Sequence, residues 1–112
     1  FEAAHRLPHV PSGHKCARLH GHSYVLTISV CGEVSSETGW LIDYSDITDA
    51  CRPLRDQLDH HYLNEIDGLE NPTSENLCRW IWERLIHVLP ALSSVTVHET
   101  CTSSCTFRGA DD

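Results

Sequence analysis

The chain has 112 residues, with 8 Lys plus Arg against 16 Asp plus Glu and a formal net charge of −8 when histidine is neutral. That length fits one domain spanning residues 1–112, with a core modest enough that partner subunits are expected to supply part of the burial. The acidic balance without a basic run argues against nucleic acid. No apolar run approaches the roughly 18 to 20 residues of a membrane span and no signal-peptide pattern is present, so a soluble, cytoplasmic protein is expected.

The sequence starts at Phe1 and contains no Met, which reads as a chain beginning inside a longer polypeptide, with its first strand cut short. F-E-A-A-H-R-L is the end of that strand. The polar loop P-H-V-P-S-G-H-K-C follows, long for a hairpin connection and therefore a candidate functional loop. S-Y-V-L-T-I-S-V-C-G-E-V is a long strand in which Tyr24, Leu26, Ile28 and Val30 share one face at period two, the mark of a sheet packed on one side.

After the turn S-S-E-T-G and the short apolar piece W-L-I-D-Y comes a helix capped by Ser45 or Asp46. Its apolar positions Ile47, Ala50, Cys51 and Leu54 follow i, i+3, i+4, i+7, and Pro53 is expected to bend or interrupt it. A second helix opens at N-P-T-S-E-N, with Thr73 or Ser74 as cap, and carries Leu77, Trp80, Ile81, Leu85 and Val88 on one stripe with Arg84 at its edge. Pro90 ends it, and S-V-T-V-H-E-T and C-T-F-R read as two closing strands. The order ββααββ predicts an α+β fold, a four-stranded antiparallel sheet with both helices on one face. No GxGxxG or P-loop pattern points to a nucleotide redox cofactor.

Chemistry concentrates in C-A-R-L-H-G-H, Cys16 to His22. His20 and His22 at i and i+2 of a strand leave the same face about 7 Å apart at the backbone, within reach of one ion. A catalytic zinc typically takes three protein ligands and keeps one position open. His5 is the best third ligand, because the first strand would pair antiparallel with the second; His9 and His14 are weaker ones. In a chain with nine histidines an H-x-H is a weak signal, and solvent-facing histidines around a glycine turn are the bland alternative. Cys16 either closes the site as a fourth ligand, which makes the metal structural, or stands near it as a thiol that moves protons. In L-D-H-H-Y-L-N, Asp59 beside His60 can orient an imidazole for acid/base work, against a polar connection between helices. Glu99, a carboxylate in an otherwise apolar and hydroxyl-rich strand, either points to water or binds a guanidinium-like edge through paired hydrogen bonds. The six cysteines (16, 31, 51, 78, 101 and 105) show no compact disulfide spacing, so reduced thiols are expected, and the C-x3-C of Cys101 and Cys105 is assigned no chemistry.

Taken in order, F-E-A-A-H-R-L, C-x3-H-G-H-S-Y, G-W-L-I-D-Y, L-D-H-H-Y-L-N, N-P-T-S-E-N and H-E-T-C resemble the 6-pyruvoyl-tetrahydropterin synthase superfamily over essentially the whole chain. The wording of H-K-C-A-R-L-H-G-H and of L-D-H-H-Y-L-N-E-I-D-G-L-E-N-P-T-S-E is most similar to its bacterial 6-carboxytetrahydropterin synthase branch, of the queuosine pathway. The resemblance implies a tunnelling fold, in which three sheets close into a barrel and two trimers stack as a homohexamer with active sites between subunits. It implies Zn2+ on His5, His20 and His22, Cys16 as proton-transfer thiol, Asp59 and His60 as relay, and Glu99 as anchor of the pterin. The implied reaction converts 7,8-dihydroneopterin triphosphate to 6-carboxytetrahydropterin, acetaldehyde and triphosphate. Lys15 and Arg18, flanking Cys16, are candidate triphosphate contacts because an acidic protein must gather its few cations to attract such a substrate. Phe107 departs from the family pattern, standing where Tyr is expected in C-x-Y-x-G. Two rival readings are the sister enzyme that eliminates triphosphate to 6-pyruvoyl-tetrahydropterin, and a non-catalytic zinc-stabilised oligomeric binding module.

Overall fold

The computed structural model describes residues 1–100 and 103–109. Four strands, β1 (Glu2–His5), β2 (His20–Val30), β3 (Leu92–Glu99) and β4 (Ser103–Phe107), form one sheet in the order β1-β2-β3-β4, with every neighbour antiparallel. Helices α1 (Tyr44–Leu58) and α2 (Ser74–Leu85) lie between the two hairpins in sequence. Register makes Leu26 oppose Val97 and Ile28 oppose Val95, so one face of the sheet is apolar. Onto that face pack Leu54 and Leu58 of α1 and Leu77, Ile81 and Leu85 of α2.

Several boundaries differ from the sequence expectation; strand β2, for one, ends at Val30 and does not run on through Cys31 to Val34. It begins at His20, as the placement of the H-G-H at the start of the strand predicts, with His20 to Ser23 in a ladder with His5 to Glu2. The first helix is capped by Asp43, whose Oδ1 accepts from the Ser45 N–H at 2.9 Å, and not by Ser45 or Asp46. Pro53 lies inside that helix without ending it. An interior proline costs about 3 kcal/mol, and the next two stripe positions, Leu54 and Leu58, are 5% and 0% exposed. Burial of two leucines at about 1.5–3 kcal/mol each outweighs the proline.

The second helix is capped by Thr73, whose hydroxyl accepts from Asn76 N–H at 3.1 Å, so the Ser74 hydroxyl is free for other work. It ends at Leu85, before Pro90; Val88 lies past the last turn and is 60% exposed, while Leu89 takes the core position at 2%. Arg84 lies outside the core with its guanidinium 3.7 Å over the Trp80 ring. Ile81 is fully buried between helix and sheet. Ile81→Ala is therefore expected to destabilise the fold by about 2–5 kcal/mol, read as a shift of the denaturation midpoint at fixed protein concentration.

Candidate metal centre and adjoining acid/base groups

The β1–β2 register sets His5 directly opposite His20 and Ala3 opposite His22. Alternation along the strands then turns all three imidazoles to one face. Their rings stand mutually edge-on, with centroids 4.5 Å apart for His5 and His20, 5.0 Å for His5 and His22, and 4.9 Å for His20 and His22. One donor nitrogen from each lies within 4.8 Å of the other two.

The other ring nitrogens are occupied. Nδ1 of His5 contacts the Pro72 carbonyl at 2.9 Å, Nδ1 of His20 the Arg18 carbonyl at 2.7 Å, and Nδ1 of His22 the Thr100 hydroxyl at 2.9 Å. A carbonyl only accepts, so His5 and His20 carry their protons on Nδ1 and present bare Nε2 atoms to the shared space. Those two Nε2 atoms are 2.9 Å apart. A tetrahedral zinc at about 2.0–2.1 Å from each would hold them about 3.3 Å apart, so a few tenths of an ångström of spreading admits the ion. The donor set fits: three neutral imidazoles suit zinc, and outer partners that fix the tautomer are what metal-bound histidines require. Burial lowers the pKa of His5, with the Pro72 carbonyl opposing that shift, so His5 stays neutral to lower pH than an ordinary histidine. His9 and His14 do not join the group; His14 Nδ1 instead accepts the Cys16 N–H at 3.1 Å.

Glu99 closes one side. It pairs in register with Tyr24, which puts its carboxylate on the face of the histidines. Oε2 stands 3.7 Å from His22 Nε2, and Oε1 accepts from the Ser74 hydroxyl at 2.6 Å. The buried Tyr24 phenol, 3.3 Å from His5 Nδ1, has its pKa raised by burial and by the Glu99 charge and stays protonated. Ser74, expected only as a possible helix cap, and Thr100 both contribute to the site. The signal for Ser74 was the pair of adjacent hydroxyls in N-P-T-S-E-N, of which only one can cap the helix; nothing in the sequence marked Thr100.

Cys16 sits half-buried in a short 3-10 turn, Lys15–Ala17, tied through its main chain to Leu7 N–H at 2.9 Å. It is absent from the ligand group among the described residues. Lys15 and Arg18 are exposed on either side of it, and Arg18 contributes the carbonyl that holds His20. Asp59 and His60 follow α1 and are joined by a 3.0 Å contact between Oδ1 and Nδ1. The Glu2 N–H, at 2.9 Å from the same Oδ1, holds the Asp59 carboxyl below the usual carboxylate range, with His60 adding to the effect. His60 adopts φ +60°, and its side chain is 78% exposed. It lines an open cleft together with Ala4, Gly21, His22 and Thr100. Cys101 lies outside the described residues. Cys78, by contrast, is a structural thiol: burial and the neighbouring Cys105 push it up to about 12, and it donates to the Cys105 carbonyl at 3.2 Å.

The whole of this arrangement falls within a single family match. The model of the family described as 6-pyruvoyl tetrahydropterin synthase covers residues 1–110. The chain belongs to that family. Among its curated members, a 6-carboxy-5,6,7,8-tetrahydropterin synthase from Synechocystis sp. is 45% identical, across 96% of this chain and 86% of that one. A second protein of that name, from Bacillus subtilis, is 30% identical across 96% of this chain and 80% of its own length. The solved 6-pyruvoyl tetrahydropterin synthase of Caenorhabditis elegans superposes with a TM-score of 0.89 at 28% identity, covering 98% of this chain and 90% of that one. As a 6-pyruvoyl tetrahydropterin synthase family member, the chain thus carries a three-histidine group able to hold a metal ion, a carboxylate beside it and an Asp–His pair on the adjoining cleft. No helix among the described residues is long and apolar enough to cross a membrane.

Proposed function

We propose that this chain is a zinc-dependent lyase, a 6-carboxytetrahydropterin synthase acting on 7,8-dihydroneopterin triphosphate to give 6-carboxytetrahydropterin, acetaldehyde and triphosphate, within queuosine and 7-deazapurine biosynthesis. The observation that carries this reading is the 45% identity, over nearly the whole of both chains, to a protein of that name. The deciding experiment incubates the purified protein with dihydroneopterin triphosphate and identifies the pterin and any acetaldehyde. Release of acetaldehyde with the 6-carboxy product supports the proposal. A 6-pyruvoyl product without acetaldehyde would transfer it to the sister reaction named for the Caenorhabditis elegans structure.

His5, His20 and His22 would hold the zinc, which when bound supplies Lewis acidity to the hydroxyls of the substrate side chain. Glu99 would accept paired hydrogen bonds from the amide and amino edge of the pterin, with one oxygen already fixed by Ser74. Cys16, as thiolate, would remove a proton from the side-chain carbon. His60 presents Nδ1 to Asp59, which leaves Nε2 to exchange a proton with the neighbouring carbon or hydroxyl. Lys15 and Arg18 would meet the triphosphate, the cations nearest to Cys16 in a chain of net charge −8. Glu99→Gln keeps the shape but not the charge; pterin affinity is expected to fall at least tenfold, the order of one charge-assisted hydrogen bond of about 1.5–3 kcal/mol, with zinc content unchanged. Isothermal titration with a pterin product analogue reads the first quantity and metal analysis the second.

A single domain over residues 1–112, assembled as a homohexamer in the cytoplasm, completes the proposal. Two features support assembly. Among the described residues, β2 is bonded to the N-terminal segment only from His20 to Tyr24, leaving the same edge of β2 open from Val25 onward, and β4 leaves the opposite edge of the sheet open. Edges of this kind invite pairing with another chain, and closing them in a barrel removes the liability. The 78% exposed His60 side chain is a further reason, since a proton relay works best where a neighbouring subunit covers it from water. Light scattering at micromolar concentration is expected to give the hexamer mass; a monomer would contradict it. The five described cysteines are free thiols, in keeping with a reducing compartment.

A further inference from the structure

The three histidines differ in what holds them. His5 and His20 are oriented by main-chain carbonyls, of Pro72 and Arg18, which no substitution at those positions removes. His22 is oriented by a side chain, the Thr100 hydroxyl, at 2.9 Å from its Nδ1. His5 also has the Tyr24 phenol at 3.3 Å from its Nδ1, beside the Pro72 carbonyl, whereas the outer nitrogen of His22 relies on a side chain alone.

Thr100 is also strained. It adopts φ +50°, in the left-handed region that a β-branched residue strongly disfavours. Its N–H bonds the Ser23 carbonyl at 2.8 Å, one step beyond the Tyr24–Glu99 pair of the β2–β3 ladder. Were residue 100 to continue β3 in extended form, it would oppose Ser23 and face away from His22, because strand side chains alternate. The turn into positive φ takes Thr100 out of the pleat, and its hydroxyl reaches the His22 ring from there. Strain of this kind persists only where surrounding structure over-determines it, and it clusters at functional sites.

We propose that Thr100 is a positioning residue of the metal centre: with the ion bound, its Oγ1 accepts the His22 Nδ1–H and fixes the ring angle that presents Nε2 to the ion. This rests on the metal-site reading above. When Nε2 of a neutral imidazole ligates, the proton must reside on Nδ1, so the hydroxyl acts as acceptor in the loaded state. Its own hydrogen is then free to turn elsewhere. The role differs from that of Glu99, which approaches the ligating edge of the same ring and not its far side.

The test is zinc affinity, measured on the purified, metal-stripped assembly by competition with a chromophoric chelator. Thr100→Val replaces the hydroxyl by a methyl and keeps both the β-branch and the backbone strain, so it isolates the hydrogen bond. It is expected to weaken zinc about 10–100-fold, and to shift the His22 Nδ1 resonance in 15N spectra. Thr100→Ser, which keeps the acceptor, is expected to bind zinc as wild type does. Should Thr100→Val fail to fold, Thr100→Gly serves in its place: glycine adopts φ +50° freely, lacks the acceptor, and is expected to show the same loss of affinity. Wild-type affinity in the folded Val or Gly variant would overturn the proposal. A wild-type protein that binds zinc no better than His20→Ala would instead refute the metal-site reading beneath it.

Discussion

Cys16→Ala is expected to reduce turnover by about 10²–10⁴-fold, the contribution of a positioned proton-transfer group, while the protein keeps its fold and its metal. The structure gives the reason that the two effects separate. Residue 16 anchors its turn only through the main chain, with its carbonyl accepting from Leu7 and its N–H donating to His14, and alanine preserves both bonds. The thiol is half-buried rather than part of the core, so stability is expected to change by no more than about 0.5 kcal/mol. It also stands outside the three-histidine ligand group. Zinc content, melting temperature and turnover measured on one purified variant check all three statements. Full activity would remove Cys16 from the mechanism. Loss of zinc with unfolding would mean that the thiol closes the coordination shell, as in the binding-module reading, because binding energy in a structural zinc site is folding energy.

The second large effect concerns the ion itself. His20→Ala leaves two imidazoles, and zinc content is expected to fall from about one per chain to near zero after dialysis against a chelator, a larger loss than the roughly 10–100-fold that removal of an outer partner costs. Unlike His5, which is 1% exposed and bonded to Pro72, His20 is only half-buried, so its replacement opens no sealed cavity. The metal-free variant should therefore remain folded, giving an ordinary circular dichroism spectrum. Zinc retained at wild-type stoichiometry would rule out this ligand set.

Acid is expected to weaken the relay from the carboxylate side. The Glu2 N–H and His60 hold Asp59 below the ordinary range, so it is ionised throughout neutral pH. The associated stabilisation is complete above the unfolded-state carboxyl value and fades only as pH falls through the lower folded one.

Much of this protein was legible from local pattern. Period-two alternation from Tyr24 to Val30, the i, i+3, i+4, i+7 stripe of Ile47 to Leu54 and the i, i+3, i+4, i+8 stripe of Leu77 to Leu85 are properties of neighbouring residues, and they determined the order ββααββ and the apolar face of each element. The same alternation put His20 and His22 on one side of a strand before any partner was known. Other features were decided by residues far apart in the chain. The register that sets His5 directly against His20 comes from the β1–β2 pairing. The first helix runs through Pro53 because Leu54 and Leu58 are buried against the sheet, a gain that no helix propensity contains. Glu99 faces the histidines rather than water because register with Tyr24 aims it there, and Ser74, freed when Thr73 capped the helix, holds it. Thr100 reaches His22 only through a backbone turn that its own type disfavours. Side-chain period is local and survives in a sequence; the direction of a single polar group depends on which distant backbone and hydroxyl it meets, and only the folded chain brings those together.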